Sequence, residues 1–87
     1  MPKTAVSISS LRPIWKIAGD IQGEWIKVNP AAQPYLDAMF LLNDRTTKYG
    51  LEDGEMIVSY FLSNSSTFRG EIARLLKKEL QLHLKAV

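Results

Sequence analysis

Residues 66–85 read STFRGEIARLLKKELQLHLK, and the rest of the chain is expected to pack around this stretch. Its apolar side chains recur at steps of three and four residues, which predicts one face of an amphipathic helix. The predicted buried face consists of Phe68, Ile72, Leu75, Leu76 and Leu80. The predicted solvent face consists of Arg74, Lys77, Lys78, Gln81 and Lys85. An apolar stripe this regular needs partners to cover it, and the preceding residues supply them.

Length and composition indicate one small domain held together by its core. The chain has 87 residues, 46% of them hydrophobic, and it contains no cysteine and a single histidine. Disulfides and thiolate metal sites are therefore excluded, and we expect neither a metal nor a cofactor. A cysteine-free chain also fits a reducing compartment, so we expect a cytoplasmic protein.

The charge is mildly basic and unevenly distributed. The net charge is +2, and residues 67–87 carry five Lys or Arg against two Glu. This total does not by itself indicate a nucleic-acid partner. No stretch approaches the roughly 18 apolar residues of a membrane span. Since no secretory signal is recognisable either, we expect a soluble protein.

The first predicted helix follows a flexible arm. Residues 1–9 are predicted to be that arm, and residues 10–87 the helical domain. Ser10 would cap the helix, Pro13 would lie in its first turn, and Asn29-Pro30 would end it.

A hairpin around Gly19-Asp20 is the alternative to this helix, because residues 22–28 partly alternate between apolar and polar. The helix is favoured because its period is longer and more regular.

The second predicted helix begins near Pro34 and runs to about Tyr49. Pro34 suits its first turn, and its apolar positions continue to about Tyr49. Gly50 would then be a left-handed C-cap, with Leu51 folding back as the hydrophobic contact.

The third predicted helix begins at a clear cap. Asp53 would cap it, and Glu55 would lie favourably in its first turn. Residues 56–62 are apolar on almost every side, which predicts the most buried segment. A strand would also suit them, but a lone strand without a partner is not expected. The polar residues 64–67 would then open the fourth helix.

These elements predict an all-α fold, a compact four-helix single domain. Short connections favour antiparallel or steeply angled neighbours around one core. The other three helices are expected to enclose the third.

Two segments carry a resemblance to known proteins. Residues 29–39 read NPAAQPYLDAM, and residues 60–71 read YFLSNSSTFRGE. With these segments the chain resembles a group of small conserved proteins of unknown function from cyanobacteria, with relatives in chloroplasts. The resemblance covers most of the chain after the arm and implies a phototrophic organism. It implies no catalytic or binding residue.

Glu79 and His83 are four residues apart within the apolar arc of the last helix. One interpretation is a general acid–base pair or half of a metal site. The favoured interpretation is a local ion pair near the helix end, where the dipole also favours a protonated histidine.

Arg69 is the strongest candidate for an anion site. It lies near the start of the last helix, and the capping turn that ends at Thr67 would offer free N–H groups. The favoured interpretation is nevertheless a structural ion pair from Arg69 to Asp37, Asp53 or Glu55.

Aromatic residues recur at positions expected to be buried. A small-molecule pocket is one interpretation, but a core is the more typical role in a chain this short. The residues concerned are Trp15, Trp25, Tyr35, Phe40, Tyr49, Tyr60 and Phe61.

The predicted function is a non-enzymatic protein-interaction or assembly module. The C-terminal helix would bind a protein partner, with a basic rim and apolar anchors. The rim is Arg74, Lys77 and Lys78, and the anchors are Leu82 and Leu84. The alternative is nucleic-acid binding through the same basic face. An enzyme or small-ligand binder centred on Arg69 ranks last.

Overall fold

A computed structural model describes residues 7–86 and confirms a mostly helical single small domain, with one small sheet added to it. Its four α-helices are α1 (Ile14–Glu24), α2 (Gln33–Met39), α3 (Gly54–Ser63) and α4 (Glu71–Lys85). A 3-10 helix (Ile8–Ser10) precedes α1. Strands β1 (Lys48–Tyr49) and β2 (Glu52–Asp53) lie between α2 and α3. Most of the predicted arm, residues 1–6, lies outside the described residues.

Helix α1 begins later than predicted, because Ser10 does not cap it. Ser10 ends the preceding 3-10 helix, and Pro13 occupies the N-cap position without a side-chain hydrogen bond. The N–H of Ile14 instead donates to the backbone oxygen of Asn43 at 2.9 Å. The hairpin alternative is wrong, since Gly19-Asp20 lies inside α1.

Helix α2 is much shorter than the helix predicted to reach about Tyr49. It ends at Met39, and polar side chains soon after it bond to nearby backbone groups. The hydroxyl oxygen of Thr47 accepts the backbone N–H groups of Asn43 and Asp44, both at 3.1 Å. Such local bonds compete with the helical pattern and turn the chain.

A β-hairpin replaces the predicted end of the second helix. Strands β1 and β2 are antiparallel, with Tyr49 opposite Glu52. Gly50 has φ 63°, so its predicted left-handed conformation is right, but it serves the hairpin turn rather than a helix C-cap. Leu51 is fully exposed, so its predicted fold-back contact is wrong.

Helix α3 begins as its cap predicts. The Asp53 carboxylate accepts the N–H of Met56 at 3.1 Å, and Glu55 lies in the first turn. Gly54 lies against the chain at Asp44, where an added Cβ would be 2.5 Å from the Asp44 backbone oxygen. Glycine is therefore required where the hairpin passes into α3.

Helix α3 forms one side of the domain and is not its enclosed centre. Residues 56–62 are helical, so the strand alternative is wrong. One side of this segment is exposed, at Met56 and Tyr60. Its buried side chains are Ile57, Val58 and Phe61. The helices form a ring, in which α3 packs against α2 and α4, and α1 packs against the same two helices.

The core lies inside this ring and extends to the segment before α4. Trp25 stacks on Phe68 with ring centroids 5.1 Å apart, and it meets the ring of Phe61 edge-on at 6.1 Å. Other fully buried core side chains are Ile14, Ile17, Ile21, Leu36, Met39, Leu42 and Leu80. The Trp25–Phe68 stack fixes where the chain enters α4.

Candidate functional site on the C-terminal helix

Helix α4 begins at Glu71 and not at the polar turn of residues 64–67. Gly70 precedes it with φ 111°, and no side chain caps the helix. Phe68 lies in the connection and belongs to the core through its stack on Trp25. Phe68 is therefore buried, as predicted, but it lies outside the helix.

The buried face of α4 is rotated from the predicted one. It consists of Ala73, Leu76, Leu80 and His83. The prediction that Ile72 and Leu75 are buried is wrong, because their exposed fractions are 50% and 54%. The apolar residues of α4 cover too wide an arc for all of them to face the core, and tertiary contacts select one edge of it.

This rotation leaves an outer apolar stripe on α4. The outer apolar stripe consists of Ile72, Leu75 and Leu82, which share one side of the helix. Ile72 and Leu75 are exposed, and Leu82 is partly buried. Two half-exposed aliphatic side chains one turn apart form an apolar surface that can bind a partner.

A basic groove runs beside this stripe. It has a volume of about 580 Å³. The groove is lined by Phe68, Arg69, Gly70, Glu71, Arg74, Lys77, Lys78 and Gln81. Four cations thus share one depression with a single carboxylate. The structure brings the predicted rim residues together with Arg69, which the sequence placed in a separate site.

The cations of the basic groove have no carboxylate partner in the described part of the chain. The ion pairs there join Arg12 to Asp20 and Glu79, and Arg45 to Glu55. The positive charge of the groove is therefore not neutralised by these acidic side chains, and it produces a field that attracts anions.

Two of the cations are held by neutral groups. The Lys77 ammonium donates to the backbone oxygen of Ser65 at 2.7 Å and lies 5.7 Å from the ring centroid of Phe68. Arg69 donates through Nε to the backbone oxygen of Ser66 at 3.2 Å. Burial, followed by the positive charge of Arg69, lowers the pKa of Lys77 below its ordinary value.

The predicted anion site is only partly assembled. Arg69 lines the basic groove, whereas Thr67 is exposed and does not line it. The favoured interpretation, an ion pair of Arg69 with Asp37, Asp53 or Glu55, is wrong. Those three carboxylates bond to a glutamine amide, to the start of α3 and to a different arginine.

Glu79 and His83 do not bond to each other, so the predicted local pair is wrong. Glu79 accepts two hydrogen bonds from the Arg12 guanidinium, at 2.8 and 2.7 Å. These bonds, followed by one to Asp20, raise the pKa of Arg12 and keep it charged. The ring of His83 is 1% exposed and donates from Nε2 to the backbone oxygen of Arg12 at 2.6 Å. Both residues fasten the chain before α1 to α4, and a histidine this buried is poorly placed to meet a substrate.

The predicted anchor Leu84 is not free. It is partly buried and packs against the core. The chain beyond it is also held, since the buried Ala86 accepts a hydrogen bond from Nε of Arg45 at 3.0 Å. Of the two predicted anchors, only Leu82 lies on the outer apolar stripe.

The predicted aromatic core is right for some residues only. Trp25 and Phe61 are buried in it. Tyr35 pairs with Tyr60 nearer the surface, with ring centroids 5.3 Å apart. Partly exposed are Trp15, Phe40, Tyr49 and Tyr60. Among residues 7–86, the aromatic side chain that lines the basic groove is Phe68, and none of the seven residues above does so.

Two further properties concern metals and membranes. Among residues 7–86, no three His, Asp or Glu side chains converge to hold a metal ion. Across the same residues, every helix is too short or too polar to cross a bilayer.

Comparison with protein-family models, with curated proteins and with solved structures gave no match. The resemblance to the cyanobacterial group therefore stays a prediction.

Proposed function

We propose that this protein is a non-enzymatic interaction module whose helix α4 binds an acidic amphipathic helix of a protein partner. The observation that carries the proposal is the outer apolar stripe, exposed beside a row of cations on the same helix. A contiguous apolar surface with a polar rim is typical of protein-interaction sites.

The rim favours a partner with negative charge. Lys78 follows Leu75 by three residues and precedes Leu82 by four, so it borders both anchors on the helix surface. Arg74 precedes Leu75 directly and lines the basic groove on the same side. Carboxylates on a partner would meet these cations, which raises the association rate and selects against basic partners.

The geometry favours a helical partner of a different sequence. Anchors spaced by one and two turns match the side chains of a second amphipathic helix laid along α4. Two copies of this chain paired antiparallel along the stripe would place one basic rim against the other. Since like charges at an interface are destabilising, a distinct acidic partner is the better occupant.

The proposal is tested with a synthetic probe. The probe is an acidic amphipathic helical peptide, with leucines at three- and four-residue spacing and glutamates between them. We expect saturable binding, observed as amide shift changes along α4 in nitrogen–proton correlation spectra. Leu75→Ser should weaken the affinity by roughly tenfold or more, because truncating a central anchor removes buried apolar contact.

The matched control is Leu41→Ser, which removes a 67% exposed leucine outside α4. It should leave the affinity unchanged. Equal effects of Leu75→Ser and Leu41→Ser would contradict the proposed surface. Equal binding of a peptide with lysines in place of the glutamates would contradict the acidic partner. Loss of a dimer on Leu75→Ser would assign the stripe to self-association instead.

Nucleic-acid binding is the second candidate, favoured by the four groove cations, which lack a carboxylate partner among residues 7–86. It predicts binding to random-sequence duplex DNA with affinity that falls steeply as salt rises. Lys78→Gln should then reduce both the affinity and the salt dependence, while Leu75→Ser should change neither. No retention on heparin at low salt would rule this candidate out.

We also propose a cytoplasmic location and a relationship to the cyanobacterial group. The cysteine-free composition supports the location, and the two segments that carry the resemblance support the relationship.

A further inference from the structure

We infer that the basic groove is a binding site for a phosphate monoester. The groove holds Arg69, Arg74, Lys77 and Lys78 against one carboxylate, Glu71. Its volume of about 580 Å³ is suited to a small ligand or a phosphorylated side chain. A phosphate dianion would balance more of this charge than a single carboxylate, and it has more acceptor oxygens for converging donors.

The donors on the groove wall are already positioned. Arg69 uses only its Nε for the bond to Ser66, and in the described part of the chain both terminal nitrogens of its guanidinium are without a partner, which leaves them for a ligand. Lys77 is fixed by Ser65, whose own hydroxyl donates to the backbone oxygen of Leu62 at 2.9 Å. Ser65 is itself buried, with an exposed fraction of 1%. Side chains held in this way lose less conformational freedom when an anion binds.

The free groove contains an unfavourable charge arrangement that an anion would relieve. Burial, followed by the positive charge of Arg69, lowers the pKa of Lys77, and both cations line the same groove, where like charges repel each other. An anion between them converts that repulsion into two attractive interactions.

The start of α4 adds to the same field. Gly70, with φ 111°, leaves the first turn without a side-chain cap, and Gly70 and Glu71 both line the groove. Among the described residues, the backbone N–H of Glu71 has no acceptor. The positive end of the helix dipole therefore faces the same depression, as a supplement to the four side chains.

This site shares the cations Arg74, Lys77 and Lys78 with the basic rim of the proposed partner surface. Arg69 belongs to the phosphate site alone, and the partner's anchors on the outer apolar stripe do not line the groove. Variants of Arg69 and of Leu75 therefore separate the two proposals. Loss of peptide binding in Leu75→Ser with phosphate binding retained would concern the partner helix alone.

The test uses inorganic phosphate and O-phosphoserine, added at constant ionic strength to the full chain. We expect saturable shift changes at the amides of Gly70 and Glu71 and at the guanidinium Nε of Arg69. Arg69→Gln should weaken the affinity roughly tenfold, the loss typical of one charge-assisted hydrogen bond. Arg74→Gln should weaken it in the same direction, while Lys16→Gln, an exposed cation on α1, should not.

The two probes distinguish the source of the phosphate. Tighter binding of O-phosphoserine, with serine itself inactive, assigns the site to a phosphorylated side chain or metabolite. Equal binding of both probes assigns it to the phosphate group alone. The inference is overturned if chloride at the same ionic strength gives the same shifts, or if Arg69→Gln and Lys16→Gln bind phosphate equally well.

Discussion

The two long sides of α4 differ in how their charged side chains are paired. On the side facing α1, Glu79 and His83 both bond to Arg12, and Arg12 also reaches Asp20. On the opposite side, the cations of the basic groove have no carboxylate partner among residues 7–86. The outer apolar stripe lies between these two sides, next to Glu79, and Ile72 and Leu75 in it are exposed. One side holds the domain together, and the other leaves its cations without carboxylate partners in the described part of the chain. The difference shows that α4 contains more apolar and charged residues than its own fold uses.

The largest expected effect separates the buried face from the outer apolar stripe. Leu80 is fully buried, so Leu80→Ala should lower the free energy of unfolding by about 2–5 kcal/mol through lost contacts and a cavity. Leu75→Ala, at a 54% exposed position, should change it by no more than about 0.5 kcal/mol. Urea unfolding of both variants measures the difference. Similar losses of stability at the two positions would contradict the assignment of Leu80 to the buried face and of Leu75 to the exposed stripe.

A smaller effect separates the paired charge from the unpaired ones. Glu79→Gln removes a two-bond interaction with Arg12 and should lower the free energy of unfolding by about 1 kcal/mol, the upper range for exposed pairs. Lys78→Gln should leave it unchanged or raise it slightly. The effect of Glu79→Gln should shrink at high salt, because screening already weakens the pair. A greater loss for Lys78→Gln would reverse the assignment of the two sides.

The smallest expected effect is the pH dependence caused by Lys77. Its pKa in the folded state lies below the ordinary value of 10.5, so the unfolded chain binds more protons between those two values. The stability of the wild type relative to Lys77→Gln should therefore rise as the pH rises through that interval, and it should be lowest below the folded pKa. Urea unfolding of both proteins between neutral pH and about 10.5 measures this slope. A falling difference would mean that Lys77 is stabilised by an anionic partner.

Local chemistry made part of the fold predictable from the sequence. Asp53 was predicted as the cap of α3 because a short acceptor side chain before an apolar run has few other roles. Gly50 was predicted to be left-handed for the same kind of reason. Its element was wrong, because the helical bonds give way after Met39 to tighter three-residue turns, from Phe40 to Asp37 and from Leu41 to Ala38. The Thr47 side chain then holds the following turn, and the apolar spacing reveals neither feature.

The register of α4 was not predictable from its spacing. The arc from Ile72 to Leu80 fits two adjacent faces equally well, and Ala73 and His83 are weak signals of burial. Two long-range contacts select the face: the stack of Phe68 on Trp25 and the bond from His83 to Arg12. The candidate site was only partly predictable, because it also depends on tertiary structure. The rim cations share one helix face in the sequence, but their convergence with Arg69 depends on the Gly70 turn.

The register of α4 is tested most directly by thiol labelling, because the chain contains no cysteine of its own. Two single variants, Leu75→Cys and Ala73→Cys, place a thiol on the outer apolar stripe and on the buried face. We expect a thiol-specific reagent to label Leu75→Cys rapidly under native conditions and Ala73→Cys only after unfolding, since these positions are 54% and 2% exposed. Rapid labelling of Ala73→Cys together with protection of Leu75→Cys would contradict the account, and it would restore the face that the sequence alone predicted.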